Sequence, residues 1–510
     1  MAEVLVQRAG RREWLGLTVV VLPCLLVSMD LSVLFYALPF ISAELAPSSS
    51  ELLWIMDLYG FVLAGFLVTM GTLGDRIGRR KLLLAGAGLF GAASVLAAYA
   101  NSTEMLIGAR ALLGVAGATL APSTLSLIRN MFQDARQRQT AISFWTMGFA
   151  GGALVGPIAG GVLLEHFWWG SVFLLNVPVM ALLLVLGPIL LPEYRDPAGG
   201  RFDVTGALLS LAAILPVIYG VKKIAADGLA WSNAGAIVFG LAIGAVFVHR
   251  MRTVENPMID VKLFARVQFS GAVLASTITF LVFSGLILYV TQYLQLVLGY
   301  GPLAAALWNI PGVLGVLVGV SWSAAVAARL RPAVIVATGL LFGSAGFVLV
   351  TPISATEGLA WVVASQVVLS IGIGTVATIA TELVLATAPK ESAGAGAAVS
   401  ETANEFGGAA GIALLGSIGA GIYRAELTDT APADVPVDAL AAARESLGAA
   451  VRTAGDLPLH LRDSLIAAAN QTFVTGMQWV AWIGAAGLLL MSAFVVVVLR
   501  RIPPTAGSAE

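Results

Sequence analysis

Several ionisable residues stand inside long apolar stretches of this 510-residue sequence, where a charge is expensive to bury. Asp30 and Arg110 lie in the first and fourth stretches, and Glu401 and Glu405 share the thirteenth. A desolvated carboxylate holds its proton more tightly, and a nearby arginine favours its release. These four residues are therefore candidates for binding and releasing a proton. A purely structural ion pair between Asp30 and Arg110 is the alternative.

Glu401 and Glu405 are four residues apart, so a helix places both on one face. Two neighbouring carboxylates repel each other when both are ionised, which favours keeping one proton on the pair. A cationic ligand would displace that proton. Aromatic rings bind quaternary ammonium groups, and the candidate ligand contacts are therefore Trp54, Asp57, Tyr59, Trp145, Trp308, Asn309, Glu405 and Phe406. Asp57 either attracts cations from outside or is solvated at a helix end, and Glu382 is interpreted as structural.

A glycine ridge marks the fifth apolar stretch. Gly148, Gly152, Gly156 and Gly160 recur every four residues and would line one helix face, with Pro157 and Gly161 on the same segment. Glycines let a neighbouring helix approach closely, and the proline bends the helix. The ridge predicts either tight static packing or a face that slides during a conformational change.

The composition sets the class of protein that must position these residues. Hydrophobic residues make up 58% of the chain and charged residues 11%, against about 25% charged in typical soluble proteins. The 28 basic and 29 acidic residues give no excess that would indicate nucleic-acid binding. One cysteine excludes a disulfide framework and a thiolate metal cluster. No common hydrolase or NTPase signature occurs, so we expect neither an enzyme nor a cofactor.

Fourteen stretches are long and apolar enough to span a membrane as helices. They cover residues 14–40, 51–70, 82–100, 105–130, 138–164, 170–191, 204–223, 231–248, 268–290, 302–326, 333–352, 358–387, 392–422 and 473–499. The stretches do not alternate as barrel strands would, which predicts an all-α polytopic membrane protein. Most Lys and Arg residues, 21 of 28, fall in the tails and loops on the same side of the membrane as the N-terminus. The positive-inside rule then places both termini in the cytoplasm, with the chain in the cytoplasmic (inner) membrane.

Polar interruptions predict a 6+2+6 arrangement of these spans. Residues 1–192 would form a first six-helix half, residues 193–266 a linker with two extra spans, and residues 267–510 a second six-helix half. Residues 423–472 form a long extracellular segment rich in Ala and charge. This segment is either a solvated loop or an ordered hairpin that covers the exit.

Several motifs together resemble those of the major facilitator superfamily. Residues 71–81 (GTLGDRIGRRK) are similar to its signature loop, and residues 106–114 hold its fourth-span pattern around Arg110. Residues 152–161 (GALVGPIAGG) resemble its antiporter motif. Met29-Asp30 with Ala37-Leu38-Pro39, residues 54–59 (WIMDLY), Leu175-Asn176-Val177-Pro178 and residues 400–405 resemble the fourteen-helix drug:proton antiporter-2 family, especially its QacA-like quaternary-ammonium efflux pumps.

The resemblance implies two halves that rock between inward-facing and outward-facing states around a central site. It also implies a cytoplasmic gating motif formed by Gly71, Asp75, Arg76, Gly78, Arg79 and Arg80. Asp75 would lie in the loop and reach a helix N-terminus of the other half, where a negative charge is favoured. Some relatives carry an acidic residue in span 10 that is linked to divalent cations. Here that region reads GVLGV at residues 312–316, with Asn309 the nearest polar group, so the preference between monovalent and divalent cations stays open.

The expected function is export of lipophilic, mostly cationic drugs, dyes and biocides, driven by the proton gradient. The partners would be small amphipathic cations, protons and membrane lipids, with no nucleic acid, and the protein would act as a monomer. One alternative is an exporter of an endogenous lipid or peptide product with little multidrug activity. Another is a structural or sensory membrane protein, for which the buried charges would be wasteful.

Overall fold

We describe a computed structural model of the chain, covering residues 9–193, 203–227, 230–254, 261–327, 329–387, 393–432, 434–500 and 502. The helices before the second charged stretch are α1 Arg11–Leu45, α2 Ser49–Ile77, α3 Arg79–Ala98, α4 Thr103–Met131, α5 Ala135–His166, α6 Ser171–Leu174, α7 Asn176–Leu190, α8 Val204–Asp227 and α9 Trp231–Thr253. The helices after it are α10 Val267–Gln292, α11 Pro302–Trp308, α12 Ile310–Val326, α13 Pro332–Val348, α14 Leu359–Thr387, α15 Ala393–Thr430, α16 Val437–Ala443, α17 Leu447–Gly455 and α18 Leu459–Leu499. A 3-10 helix over Val261–Ala265 precedes α10, and a π-helix over Tyr293–Val297 follows it.

The predicted all-helical membrane fold is confirmed. Within the described residues thirteen helical segments are long and apolar enough to cross a membrane, and the shorter apolar helix Pro332–Val348 supplies a fourteenth. The same residues contain no β-strand. Each of the fourteen segments overlaps one of the fourteen stretches read from the sequence. The 6+2+6 division of these spans stays a prediction. Below, α1–α7 are called the first set and α10–α18 the last set.

Local sequence explains where the helices begin and break. Ser48 caps α2, because its hydroxyl accepts the Glu51 N–H at 3.3 Å. Asp134 caps α5 in the same way through the Gln137 N–H at 2.9 Å. Span 10 is broken at Asn309, where α11 ends and α12 begins before Pro311, whose ring nitrogen has no hydrogen to donate. The sequence had predicted one continuous helix there.

The two sets pack by the same pairs of helices. In the first set α1 lies against α5 and α2 against α4, and in the last set α10 lies against α15 and α12 against α14. The extra helices α8 and α9 pack mainly on each other. Only α8 reaches the core, and it contacts both α2 of the first set and α15 of the last set.

Three boundaries differ from the sequence-based expectation. Asp75 belongs to α2, which continues to Ile77, so the predicted loop shrinks to a turn at Gly78 with a φ of +113°. That conformation is easy for glycine and strained for other residues. The long segment at 423–472 is also shorter than predicted, since α15 extends to Thr430 and α18 begins at Leu459. Between them, within residues 431–458, lies a hairpin made of α16 and α17.

Candidate functional site

Asp30 and Arg110 form a buried ion pair at the centre of the first set. The Arg110 Nη1 lies 2.5 Å from the Asp30 Oδ2, and the two side chains are 0% and 1% exposed. Asp30 lies on α1 and Arg110 on α4. The predicted proximity of these two residues is therefore observed, and the pair is shielded from water on all sides. Removing one partner from such a pair leaves an uncompensated buried charge, which is strongly destabilising.

An amide and a hydroxyl from two further helices complete the surroundings of Asp30. The Asn176 Nδ2 donates to the Asp30 Oδ1 at 3.4 Å and to the Ser94 Oγ at 3.2 Å. Asn176 begins α7 and is 1% exposed, and Ser94 of α3 is 0% exposed. Both carboxylate oxygens of Asp30 are thus engaged by side chains from α4 and α7.

Helix α2 supplies the remaining partners of Arg110. The Arg110 Nε donates to the Ile55 carbonyl oxygen at 3.0 Å. The guanidinium carbon lies 4.6 Å from the centroid of the Tyr59 ring, which is a cation–π distance. Tyr59 had been predicted as a ligand contact. The structure places its side chain at 0% exposure against Arg110.

Glu405 lies on α15, at the seam where the last set meets α2. Tyr59 is within electrostatic range of Asp30, Arg110 and Glu405 together. A Cβ added at Gly60 would lie 3.0 Å from the Ala409 Cβ and 3.9 Å from the Glu405 carbonyl oxygen, which shows how closely α2 and α15 approach. The structure therefore places Glu405 on the helix that packs against α2 next to Tyr59. The side chain of Glu401 lies outside the described residues, so the predicted carboxylate pair stays a prediction.

The aromatic candidates divide between the seam and other places. Phe406 of α15 stands 6.0 Å from Phe61 of α2, measured between ring centroids, and Trp54 packs on the same cluster. Trp145 lies elsewhere in the first set, where its Nε1 donates to the Thr124 Oγ1 at 3.0 Å. Trp308 is 38% exposed at the end of α11. The structure thus assembles only part of the predicted ligand set around Glu405.

Asp57 and Asn309 are the polar members of the predicted ligand set. Asp57 is 1% exposed, so it is not solvated at a helix end. The Asn309 Nδ2 donates to the Tyr36 hydroxyl at 2.5 Å and to the Ala305 carbonyl oxygen at 2.9 Å. Tyr36 lies on α1, so Asn309 joins the last set to the first set.

The glycine ridge of α5 faces α1 as its spacing predicts. A Cβ added at Gly148 would lie 2.7 Å from the Val21 Cγ1, and one at Gly156 would lie 2.7 Å from the Met29 Cγ. At Gly152 and Gly160 it would collide with the Leu25 carbonyl oxygen and the Val33 side chain. Gly161 points elsewhere, since its added Cβ would lie 2.6 Å from the Leu303 Cα of α11 in the last set. Pro157 lies within α5 without ending it.

A second glycine ridge, which the sequence reading missed, lies at the equivalent interface of the last set. Glycines of α15 at positions 407 and 411 touch the backbone of α10 at Thr277 and Leu281. The pair α10–α15 therefore repeats the pair α1–α5 in geometry. The signal was present as the four-residue spacing of glycines after Glu405.

The basic residues of the gating motif hold helix ends within the first set. Arg80 donates from Nη1 to the carbonyl oxygens of Pro188 and Leu191 at 3.2 Å and 3.0 Å, and its Nε lies 3.5 Å from the Glu193 carboxylate. Arg79 is 8% exposed. Gly71 lies within α2, and Arg76 stands in its last turn. The side chain of Asp75 lies outside the described residues, so its contact with the other half stays a prediction.

The hairpin of the last set contacts the turn between α1 and α2 through Glu445 and Arg452, and these contacts are called the clasp below. The Glu445 carboxylate accepts the Ser49 N–H at 3.0 Å, at the N-terminus of α2. Arg452 donates from Nη1 to the carbonyl oxygens of Ser42 and Ala43 at 3.2 Å each, in the last turn of α1. An anion at a helix N-terminus and a cation at a helix C-terminus are both favoured by the helix dipole. The clasp therefore joins the two sets at the end away from the chain termini.

No group of three or more His, Cys, Asp or Glu residues in the described part of the chain could hold a metal ion.

Comparison with known proteins gives the family of the chain. The sequence model of the Major Facilitator Superfamily matches residues 21–412. The multidrug efflux pump LfrA of Mycolicibacterium smegmatis is 44% identical over 97% of this chain and 98% of its own length. The methyl viologen resistance protein SmvA of Salmonella typhimurium is 33% identical over 94% of this chain and 97% of its own.

A solved structure supports the same fold. A bacterial homologue of the human lysosomal transporter Spinster, in an inward-facing and unoccupied conformation, superposes with a TM-score of 0.65 at 17% identity. The superposition covers 96% of this chain and 99% of that one. The fold, the motifs and the sequence relatives agree, and the chain belongs to the major facilitator superfamily as a multi-pass membrane transporter rather than an enzyme.

Proposed function

We propose that this transporter is a proton-coupled antiporter that exports lipophilic, mostly cationic drugs, dyes and biocides by alternating access. The observation that carries the proposal is the fully buried Asp30–Arg110 pair, with Glu405 of the last set in electrostatic range of the same tyrosine. Names of relatives add support, since LfrA is called a multidrug efflux pump and SmvA a methyl viologen resistance protein. Membership of the drug:proton antiporter-2 family is part of the proposal.

Proton coupling is supported by the position of Asp30 on α1, where it contacts Arg110 of α4 and Asn176 of α7. Loading a proton on Asp30 removes the negative charge that holds Arg110 and Asn176, so the contacts between these helices change with protonation. Helix α2 touches both Arg110 and α15, and it can pass this change to the side of Glu405. A cation beside Glu405 and a proton on Asp30 would then favour opposite states. No cofactor is needed, because the proton gradient supplies the free energy.

The contacts between the two sets support an inward-facing state. Asn309–Tyr36, Gly161–Leu303 and the hairpin clasp lie in the centre or at the end away from the termini. With both termini in the cytoplasm of an inner-membrane protein, that end is the extracytoplasmic one. The rocking bodies would be residues 1–192 and 267–510, with the two helices of 193–266 as an insertion. The hairpin would close the exit, and the transporter would act as a monomer.

The proposal is tested with purified protein in liposomes that contain ethidium-binding DNA, with an imposed pH gradient. We expect ethidium movement that stops when the gradient is collapsed and that is unaffected by ATP. Asp30→Asn should abolish gradient-driven movement. Asp429→Asn is the matched control, because it changes an exposed carboxylate at the C-terminal end of α15. This variant should transport normally. An exporter of an endogenous lipid or peptide product would instead leave ethidium in place with the gradient intact.

A further inference from the structure

The buried charge of Arg110 needs a partner at every stage of the proposed proton cycle. Its guanidinium is fully buried, and arginine side chains stay charged in proteins. Its one acidic contact in the described structure is Asp30, and its Nη2 has no hydrogen-bond partner among the described residues. When Asp30 takes up a proton, the guanidinium loses this counter-charge. An isolated buried charge is costly, so another group must hold it.

Tyr59 is placed to stabilise the Arg110 guanidinium in that state. Its ring faces the guanidinium at 4.6 Å, while its hydroxyl is buried and has no hydrogen-bond partner among the described residues. The ring, and not the hydroxyl, therefore makes the contact. Glycines on α4 bring the two helices together for it, since a Cβ at Gly117 would lie 3.0 Å from the Tyr59 hydroxyl oxygen and one at Gly114 would lie 2.7 Å from the Tyr59 carbonyl oxygen.

The position of Tyr59 along α2 extends its reach. Ile55, one turn earlier, supplies the carbonyl oxygen that accepts the Arg110 Nε. Gly60, the next residue, is the point of close approach to Ala409 of α15. Two contacts thus tie Arg110 to α2 without involving α1. If Asp30 is neutralised, Arg110 stays attached to the helix that touches the last set.

We propose that Tyr59 is a positioning residue of the coupling pair, whose ring stabilises the Arg110 guanidinium while Asp30 is protonated. The inference rests on the proposed function, in which Asp30 carries the proton. Tyr59 of α2 contacts the pair, the neutral Asn176 and Ser94 of α7 and α3 lie beside Asp30, and Glu405 of α15 acts electrostatically on Tyr59. The ring contact is already present with the ion pair formed, and it strengthens when Asp30 is neutral, because Arg110 has then lost its anion. Its removal should therefore weaken proton uptake and move the pH dependence of the transporter to lower pH.

The test measures the affinity of the purified protein for tetraphenylphosphonium across pH. Protons compete with the cation, so its affinity falls at low pH, and the midpoint of that fall reports proton uptake by the free protein. Tyr59→Phe keeps the ring and should leave the midpoint unchanged. Tyr59→Leu should lower the midpoint by about one pH unit, as expected for loss of a desolvated cation–π contact. Tyr59→Met, of similar volume, replaces Tyr59→Leu if the latter does not fold.

The measured midpoints decide between the role of the Tyr59 ring and its alternatives. An unchanged midpoint in Tyr59→Leu and Tyr59→Met, with a clear pH dependence in the parent, overturns the role of the ring and leaves the proposed function standing. A midpoint shifted equally in Tyr59→Phe assigns the effect to the hydroxyl and also overturns it. A parent whose cation affinity does not depend on pH overturns both the inference and the proposed function.

Discussion

Substitution of single glycines on α5 tests whether the α1–α5 interface needs close contact. Gly152 and Gly151 are neighbours, but they point in different directions. A Cβ at Gly152 would collide with the Leu25 carbonyl oxygen and lie 3.0 Å from the Ser28 Cβ, whereas a Cβ at Gly151 would have nothing within 4 Å. The colliding atom at Gly152 is backbone, which cannot swing aside. Gly152→Ala must therefore separate α1 from α5, and Gly151→Ala need not move anything.

The magnitude follows from comparing the two variants. Replacing glycine by alanine in a helix favours the helix by about 1 kcal/mol, and this contribution is common to both. Overpacking a well-packed interface costs about 1–3 kcal/mol. We expect Gly152→Ala to be less stable than Gly151→Ala by about 1–3 kcal/mol, and to lose transport because Asp30 lies on the displaced helix.

The chain supplies its own reporter for this experiment. Cys24 is the sole cysteine, it is buried, and it precedes Leu25 on α1. A dye that fluoresces on reaction with thiols therefore reports the loss of α1 packing as the protein is heated in detergent. Melting temperatures would be measured for the parent and both variants, together with ethidium transport. Equal melting and equal transport in the two variants would refute the reasoning that this ridge requires backbone contact.

Three further predictions concern the clasp, the cation and the extra helices. Glu445→Gln combined with Arg452→Gln should weaken closure of the extracytoplasmic end by at least about tenfold, because charge-assisted hydrogen bonds contribute about 1.5–3 kcal/mol each. Distances between spin labels placed across that end measure the closure. Asp429→Asn, the control, should leave these distances unchanged. Glu405→Gln should weaken binding of lipophilic cations in titrations and spare a neutral amphiphile, whereas equal loss for both ligands would make Glu405 a packing element. Burial raises the pKa of Asp203, but hydrogen bonds from Arg250 and from the Gly206 N–H outweigh it, so the pKa of Asp203 lies below its ordinary value of 3.8. Asp203→Asn should therefore lower the melting temperature above pH 3.8, and the difference from the parent should vanish as the pH falls through the lowered value; a difference that persists there would contradict this.

The sequence was sufficient to predict the fourteen spans as helices, because each is a long apolar run that has only one stable form in a membrane. It was also sufficient for Asp30 with Arg110 and for the α5 ridge, since a buried charge needs a partner and glycine spacing defines a face. It could not show that the Ile55 carbonyl and the Tyr59 ring share Arg110, because backbone contacts depend on how helices are rotated against each other.

Tertiary packing also explains the remaining differences. Asp75 is within α2 because Gly78 alone makes the turn to α3. The hairpin lies against the other set because Glu445 and Arg452 form hydrogen bonds with helix ends there, and neither the pairing of Glu445 with Ser49 nor that of Arg452 with Ser42 has a signature in the local sequence.

The central claim is that a cation and a proton are exchanged on one protein, and proton release on cation binding tests it most directly. Purified protein in weakly buffered detergent solution would be mixed with tetraphenylphosphonium, and released protons would be followed with a pH-indicator dye. We predict release from the parent, and a strong reduction in Asp30→Asn measured at cation concentrations that saturate binding. Saturable cation binding by the parent without any proton release across the neutral pH range would contradict the account.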